Sequence, residues 1–118
     1  MTEEKPMTNK HYKPLFIESV KVLSDIKQHR FIGFDGNYCA EKAKALGVSD
    51  VDTEKEQFAP VAIFGSLLVE AGGTIAVGDP VTSNSEGKAV KAEETDTING
   101  YAQDPATEGG EVRILRGI

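Results

Sequence analysis

Short apolar runs separated by turn residues recur along most of the chain. Several runs alternate apolar and polar positions or are rich in β-branched and aromatic residues, which favours strands. The Gly, Asn and Asp residues between the runs are typical of tight turns. The expected strands cover residues 16–23, 30–34, 37–40, 58–70, 88–92, 98–102 and 111–115, and the apolar segment 74–82 is divided by a turn at Gly78-Asp79. Seven or eight short strands predict a small β-barrel or sandwich.

Three segments do not fit this strand pattern. Residues 40–46 form an Ala-rich helix candidate of about two turns, with Gly47 placed to cap it. Residues 17–27 could form a short helix instead of a strand, and residues 48–57 resemble an acidic loop. Residues 1–14 are polar and predict an extended N-terminal arm. The prediction is therefore a mainly β, single-domain fold with at most one short helix.

The turn residues are expected to fix the strand connections. Asp35-Gly36 indicates a hairpin, because a two-residue hairpin turn needs the positive φ that glycine tolerates. Gly78-Asp79 predicts a tight turn, after which Pro80 fixes φ. The full set of expected structural turn residues is Gly36, Gly78, Asp79, Pro80, Gly87 and Gly100.

Length and composition limit the possible classes of protein. The 118 residues and 12.7 kDa suit one domain. The chain has no apolar run of the ~18 residues needed to cross a bilayer, and its first six residues lack a signal-peptide h-region. One cysteine, Cys39, excludes an internal disulfide framework. We therefore expect a protein made in a reducing cytoplasm, with no membrane partner.

Charge is uneven along the chain. Residues 1–30 contain six basic and four acidic residues, whereas residues 31–118 contain seven basic and fifteen acidic residues. An acidic body repels nucleic-acid phosphates, so no nucleic-acid partner is expected. The basic first segment could contact an acidic surface, or it could be an ordinary solvated tail.

Catalytic candidates are few. A nucleophilic triad needs a positioned base, and the two histidines, His11 and His29, lie in or near the N-terminal arm. Cys39 is best interpreted as a small buried hydrophobe. The chain is therefore predicted to be non-enzymatic.

Metal and phosphate sites are not expected either. Asp50, Asp52 and Glu54 suggest a calcium loop, but Lys55 stands where its glycine would be. The acidic run Glu93, Glu94 and Asp96 is typical of a solvated turn, and Gly72-Gly73 and Gly109-Gly110 lack the context of a phosphate loop. No metal or cofactor is predicted.

The order of the turn motifs resembles that of one known family. The motifs are Arg30-Phe31-Ile32-Gly33-Phe34-Asp35-Gly36, Ala45-Leu46-Gly47-Val48, Val69 to Gly73, Ile75, Gly78 to Val81, Gly87 to Val90, Gly100-Tyr101-Ala102 and Gly110-Glu111-Val112 with Ile114. Together they are similar to the capsid cement or head-decoration proteins of tailed phages. The resemblance covers about residues 30–118.

The resemblance implies a β-tulip-like body that binds the outer surface of an assembled capsid and stabilises its lattice. It further implies the major capsid protein as partner, a homotrimer, and a place on the outside of the virion. Two alternatives stay open: a carbohydrate- or ligand-binding β-module, and a tail or baseplate structural protein.

Two functional regions are expected on this basis. Residues 1–29 would form the arm and first strand, and residues 30–118 the β-rich cement domain. The segment Lys13, Pro14, Leu15, Phe16 and Ile17 is the predicted interface, since Pro14 extends it and apolar residues follow. Alternatively, Phe16 and Ile17 simply begin a core strand. Residues 1–20 are expected to become ordered only on the capsid.

Overall fold

The computed structural model describes residues 12–117, and these residues form strands, turns and no helix. The eight strands are β1 (Lys13–Lys21), β2 (Phe31–Ile32), β3 (Gly47–Ser49), β4 (Phe58–Glu70), β5 (Pro80–Ser83), β6 (Ala89–Lys91), β7 (Gly100–Ala102) and β8 (Glu111–Arg116). The mainly β, single-domain fold predicted from the sequence is confirmed.

One sheet contains all eight strands. Its order is β2-β3-β4-β8-β7-β5-β6, and every pairing between named strands is antiparallel. β1 pairs with β4 opposite the same residues that face β3, so β1 lies on the other edge of β4. The long strand β4 is therefore the centre of the sheet, with β1 on one side and β3 and β8 on the other.

The two ends of the strand order nearly close into a barrel. The backbone N–H of Phe31 in β2 donates to the carbonyl of Gly87, next to β6, at 2.7 Å. The guanidinium of Arg30 donates to the Glu86 carbonyl at 3.0 Å and pairs with Glu70 of β4 at 3.0 Å. These contacts satisfy backbone groups that an open sheet edge would leave exposed.

Two apolar clusters fill the fold. The larger contains Phe31, Leu67, Val69, Ile75 and Ile114, among others, and the smaller contains Val22, Ile26, Ile32, Ala59, Val61 and Ile63. β4 contributes to both clusters. Its odd-numbered residues before Gly65 pack in the smaller cluster, and those after Gly65 pack in the larger one. That glycine has φ +124°, and a Cβ there would lie 2.5 Å from the Lys13 carbonyl oxygen.

The helix expected at residues 40–46 is wrong. These residues form turns, and Lys42 has φ +62°. The backbone groups that a helix would pair internally are bonded to a distant side chain. Asn99 accepts from the Ala45 N–H at 2.9 Å and donates to the Ala43 carbonyl at 2.8 Å. A helix of two turns is marginal without tertiary support, so these contacts prevail.

Three smaller expectations also need correction. Residues 47–49, included in part in the acidic loop, form strand β3. The strand expected at 37–40 is reduced to one bridge between Ile32 and Tyr38. The prediction that residues 1–20 become ordered only on a capsid is wrong for residues 13–20, which pair with β4 in the free chain, while residues 1–11 lie outside the described residues.

Candidate functional site

The N-terminal strand presents consecutive apolar side chains to solvent. Leu15 is 75% exposed, Phe16 46% and Ile17 43%. None of the three belongs to either core cluster, and Phe16 stacks on the half-buried Phe64 of β4 with ring centroids 5.7 Å apart. The alternative that Phe16 and Ile17 begin a core strand is therefore not what the structure shows. We call Leu15, Phe16 and Ile17 the β1 apolar surface.

Local backbone geometry produces this exposure. Pro14 lies opposite Gly65 and Phe16 opposite Phe64, so Leu15 is an extra residue in a β-bulge. The β1 backbone approaches Gly65 so closely that a side chain there would meet the Leu15 nitrogen at 2.8 Å. The other edge of β1 has no partner among the described strands. Free edges of this kind readily accept another chain.

An exposed row of side chains crosses the sheet from β1. Directly paired residues on neighbouring strands share one face. Lys13 pairs with Ser66, Ser66 with Leu115, and Leu115 with Tyr101. Leu115 and Tyr101 are each about half exposed, at 55% and 51%. The row ends at a groove of about 320 Å³ that these two residues line together with Lys44, Ile98 and Arg116. We call it the cationic groove.

Arg116 is a buried residue of the groove lining. It is 2% exposed and donates to the carbonyls of Leu46 at 2.8 Å, Ile63 at 2.9 Å and Ala45. Burial lowers the pKa of its guanidinium to about 10, so it remains a cation at neutral pH. Asn99 also bonds this segment, through Ala43 and Ala45. Neither Arg116 nor Asn99 was predicted from the sequence, because nothing local marks a polar side chain as buried.

The predicted turn residues occupy turns and strand ends. Gly36, Gly78, Gly87 and Gly100 all have positive φ, at 88°, 87°, 76° and 157°. The Asp79 carboxylate accepts from the Ala76 N–H at 2.9 Å, and Pro80 is the first residue of β5. These residues shape the connections around the sheet.

Several titratable side chains outside the groove are buried or bonded to nearby groups. Cys39 is 1% exposed, and burial raises the pKa of its thiol. His29 pairs through Nδ1 with Glu111 at 2.8 Å, whereas His11 lies outside the described residues. Asp52 accepts from the Gln28 N–H at 2.7 Å, and Asp96 accepts from the Glu93 N–H at 2.8 Å.

Two features are absent from residues 12–117. No group of three or more His, Cys, Asp or Glu side chains there is arranged to hold a metal ion. The same residues contain no helix that is long and apolar enough to span a membrane.

A β-sheet body with an exposed apolar edge strand is suited to binding another chain along that edge. Comparison with known families identifies the class more closely. Residues 17–118 match the phage cement protein family, and the chain belongs to that family. It is a phage virion structural protein, as the order of its turn motifs suggested.

A solved structure supports the same fold. The N base of the head fiber gp8.5 of bacteriophage phi29 superposes with a TM-score of 0.74 at 24% sequence identity. The match covers 86% of this chain and 93% of the phi29 chain. No match was found among curated proteins.

Proposed function

We propose that this chain is a non-enzymatic cement protein that binds the outer surface of a phage capsid and stabilises the head lattice. Its partner is the major capsid protein, and it is made in the host cytoplasm before joining the virion. The observation that carries the proposal is the β1 apolar surface, presented on a bulged edge strand by a member of the phage cement family.

Exposed apolar residues on a free strand edge suit this role physically. The edge offers backbone donors and acceptors, and the side chains of Leu15 and Phe16 offer apolar area. Burial of apolar area contributes about 25 cal/mol per Å² before the costs of association are subtracted. Lys13 and Pro14 complete the proposed interface at the start of the strand.

The proposal includes a homotrimer. A trimer would present three copies of the β1 apolar surface to one site on the shell. Because linked sites bind as a unit, weak individual contacts then add up to firm attachment. The molar mass of the purified chain, measured by light scattering, tests this point, and a strictly monomeric chain on and off the capsid would contradict it.

We also propose that two regions of the chain have different roles. Residues 1–29 serve as arm and first strand at the interface, and residues 30–118 form the cement domain that holds them in position. Deleting residues 1–11 tests the contribution of the arm separately from that of β1.

The decisive experiment compares binding of two variants to purified phage heads that lack the chain. Leu15→Asp places a charge on the β1 apolar surface at a side chain that is already 75% exposed, so folding should be kept. Val77→Asp is the matched control, because Val77 is 64% exposed and lies outside that surface. We expect Leu15→Asp to weaken head binding at least about tenfold, which is about 1.4 kcal/mol, and Val77→Asp to change it less than about twofold.

Cosedimentation with heads measures both affinities, and electron cryomicroscopy of saturated heads shows where the chain lies. Equal binding by the two variants would contradict the role of β1. Heads that do not bind the unmodified chain, or that carry it inside the shell, would contradict the proposed function itself.

A further inference from the structure

The cationic groove has a positive charge that its own lining does not balance. Among the described residues that line it, two are basic, Lys44 and Arg116, and none is acidic. The remaining lining is apolar or uncharged, including the exposed side chains of Ile98, Tyr101 and Leu115.

Arg116 supplies a charge that the described contacts leave uncompensated. Its described hydrogen bonds all go to backbone carbonyls, and its Nε is buried with no hydrogen-bond partner in the structure. Carbonyl dipoles solvate a guanidinium but do not neutralise it. A buried charge of this kind favours the approach of an opposite charge, since water screens it poorly.

Lys44 carries a second positive charge to the rim of the same groove. Its side chain is exposed, and its Nζ reaches the Ile98 carbonyl at 3.4 Å. Partial burial and the nearby Arg116 charge lower the pKa of Lys44. The two cations therefore oppose each other, and an anion placed between them would relieve that repulsion.

The surrounding surface makes the groove distinctive. Residues 31–118 carry seven basic and fifteen acidic residues, so a groove whose described lining has two basic residues and no acidic one differs from the acidic body as a whole. The groove also continues the exposed row that starts at Lys13 of β1 and passes through Leu115 and Tyr101. A partner that lies along β1 can reach the groove without leaving this face.

We propose that the cationic groove receives an Asp or Glu side chain from an apolar segment of the capsid protein. The carboxylate would lie at Lys44, within the field of the buried Arg116 charge, and neighbouring apolar side chains would pack on Tyr101 and Leu115. This inference rests on the proposed function and adds a second contact to it, with a partner residue of defined chemistry. Charge complementarity defines the carboxylate, and continuity with the β1 apolar surface, which is proposed to face the capsid, favours the capsid protein over a second copy of the chain as its source.

Reversal of the rim charge tests the inference. Lys44→Glu changes an exposed side chain, so it spares the fold, and Lys44→Arg keeps the charge. Lys91→Glu is the matched control, because Lys91 is exposed on β6, lies outside the groove lining and changes the net charge equally. Affinity for heads lacking the chain is measured by cosedimentation at low and high salt, and thermal unfolding verifies that each variant is folded.

We expect Lys44→Glu to bind heads at least about tenfold more weakly than the unmodified chain at low salt, with a smaller difference at high salt. Lys44→Arg should restore binding, and Lys91→Glu should change it less than about threefold. Equal losses for Lys44→Glu and Lys91→Glu, or no loss for either, would overturn the inference while leaving the proposed function intact.

Two further outcomes would also overturn it. A change in oligomeric state of Lys44→Glu, seen by light scattering without heads, would assign the groove to a contact between copies of the chain. Failure of the unmodified chain to bind heads would remove the proposed function and this inference together.

Discussion

Replacement of Arg116 by Met should destabilise the fold severely, although no carboxylate of residues 12–117 forms an ion pair with it. Arg116 donates to the carbonyls of Ala45, Leu46 and Ile63, which join the turn segment before β3 to the centre of β4. Hydrogen bonds from a charged donor contribute about 1.5–3 kcal/mol each, and a buried carbonyl without its donor costs about 1–3 kcal/mol. Removal of the cation recovers several kcal/mol of its desolvation cost.

These terms leave a net loss of about 3–5 kcal/mol, against a total stability of about 6–18 kcal/mol for a chain of this length. Urea denaturation followed by circular dichroism measures it, and an m value of about 2 kcal/mol/M corresponds to a midpoint lowered by about 1.5–2.5 M. The control is Arg113→Met on the same strand. Arg113 is half-buried, and its Nε donates to the side chain of Gln103 rather than to buried backbone carbonyls. It should cost no more than about 1 kcal/mol. If Arg116→Met lowered the free energy of unfolding by less than about 1 kcal/mol, the hydrogen bonds of Arg116 would not be what holds the turn segment before β3 against β4.

Two other predictions concern the barrel closure and the thiol. Gly87→Ala should cost about 2–4 kcal/mol in a denaturation experiment, because its φ is +76° and a Cβ would lie 2.7 Å from the Phe31 carbonyl oxygen. Gly109→Ala, with φ +89° and open space around the Cβ, should cost only about 1–2 kcal/mol, so equal losses would argue against the steric explanation. Cys39 in the folded chain should react with a thiol reagent at pH 8 at least about 100-fold more slowly than in denaturant, since burial both hides the thiol and raises its pKa. Because the folded state keeps a proton that the unfolded chain releases, the Cys39 contribution to stability should fall as pH rises through the ordinary thiol pKa, and rapid native labelling would contradict both statements.

The strand pattern was predictable because it depends on local chemistry. Alternation along residues 111–115 and the apolar run at 58–70 identify β8 and β4, and the intervening glycines mark where the chain turns. Such signals need only the side-chain period of a strand and the φ range of glycine. The order of the turns also carried the family resemblance that the comparison confirmed.

The features that failed depend on contacts between distant residues. Residues 40–46 have good helix formers, yet Asn99 and Arg116 hold their backbone in turns from more than fifty positions away. Strand β3 is too short to show a period and exists because β2 and β4 lie on either side of it. For the same reason the cationic groove could not be predicted from the sequence. Its two basic residues lie about seventy positions apart in the chain, and only the fold brings them together.

The site prediction differed from the structure in a way that matters for binding. The N-terminal segment was expected to gain order on the capsid, whereas β1 is already paired with β4 from Lys13 to Lys21, apart from the bulge at Leu15. A segment that orders on binding loses backbone entropy of about 1–2 kcal/mol per residue, a cost that a preformed strand has largely met during folding. The bulge at Leu15 and the close approach over Gly65 hold the apolar side chains outward before any partner arrives. A small apolar surface of three residues can therefore support binding, because ordering of the strand that carries it subtracts little from the binding free energy.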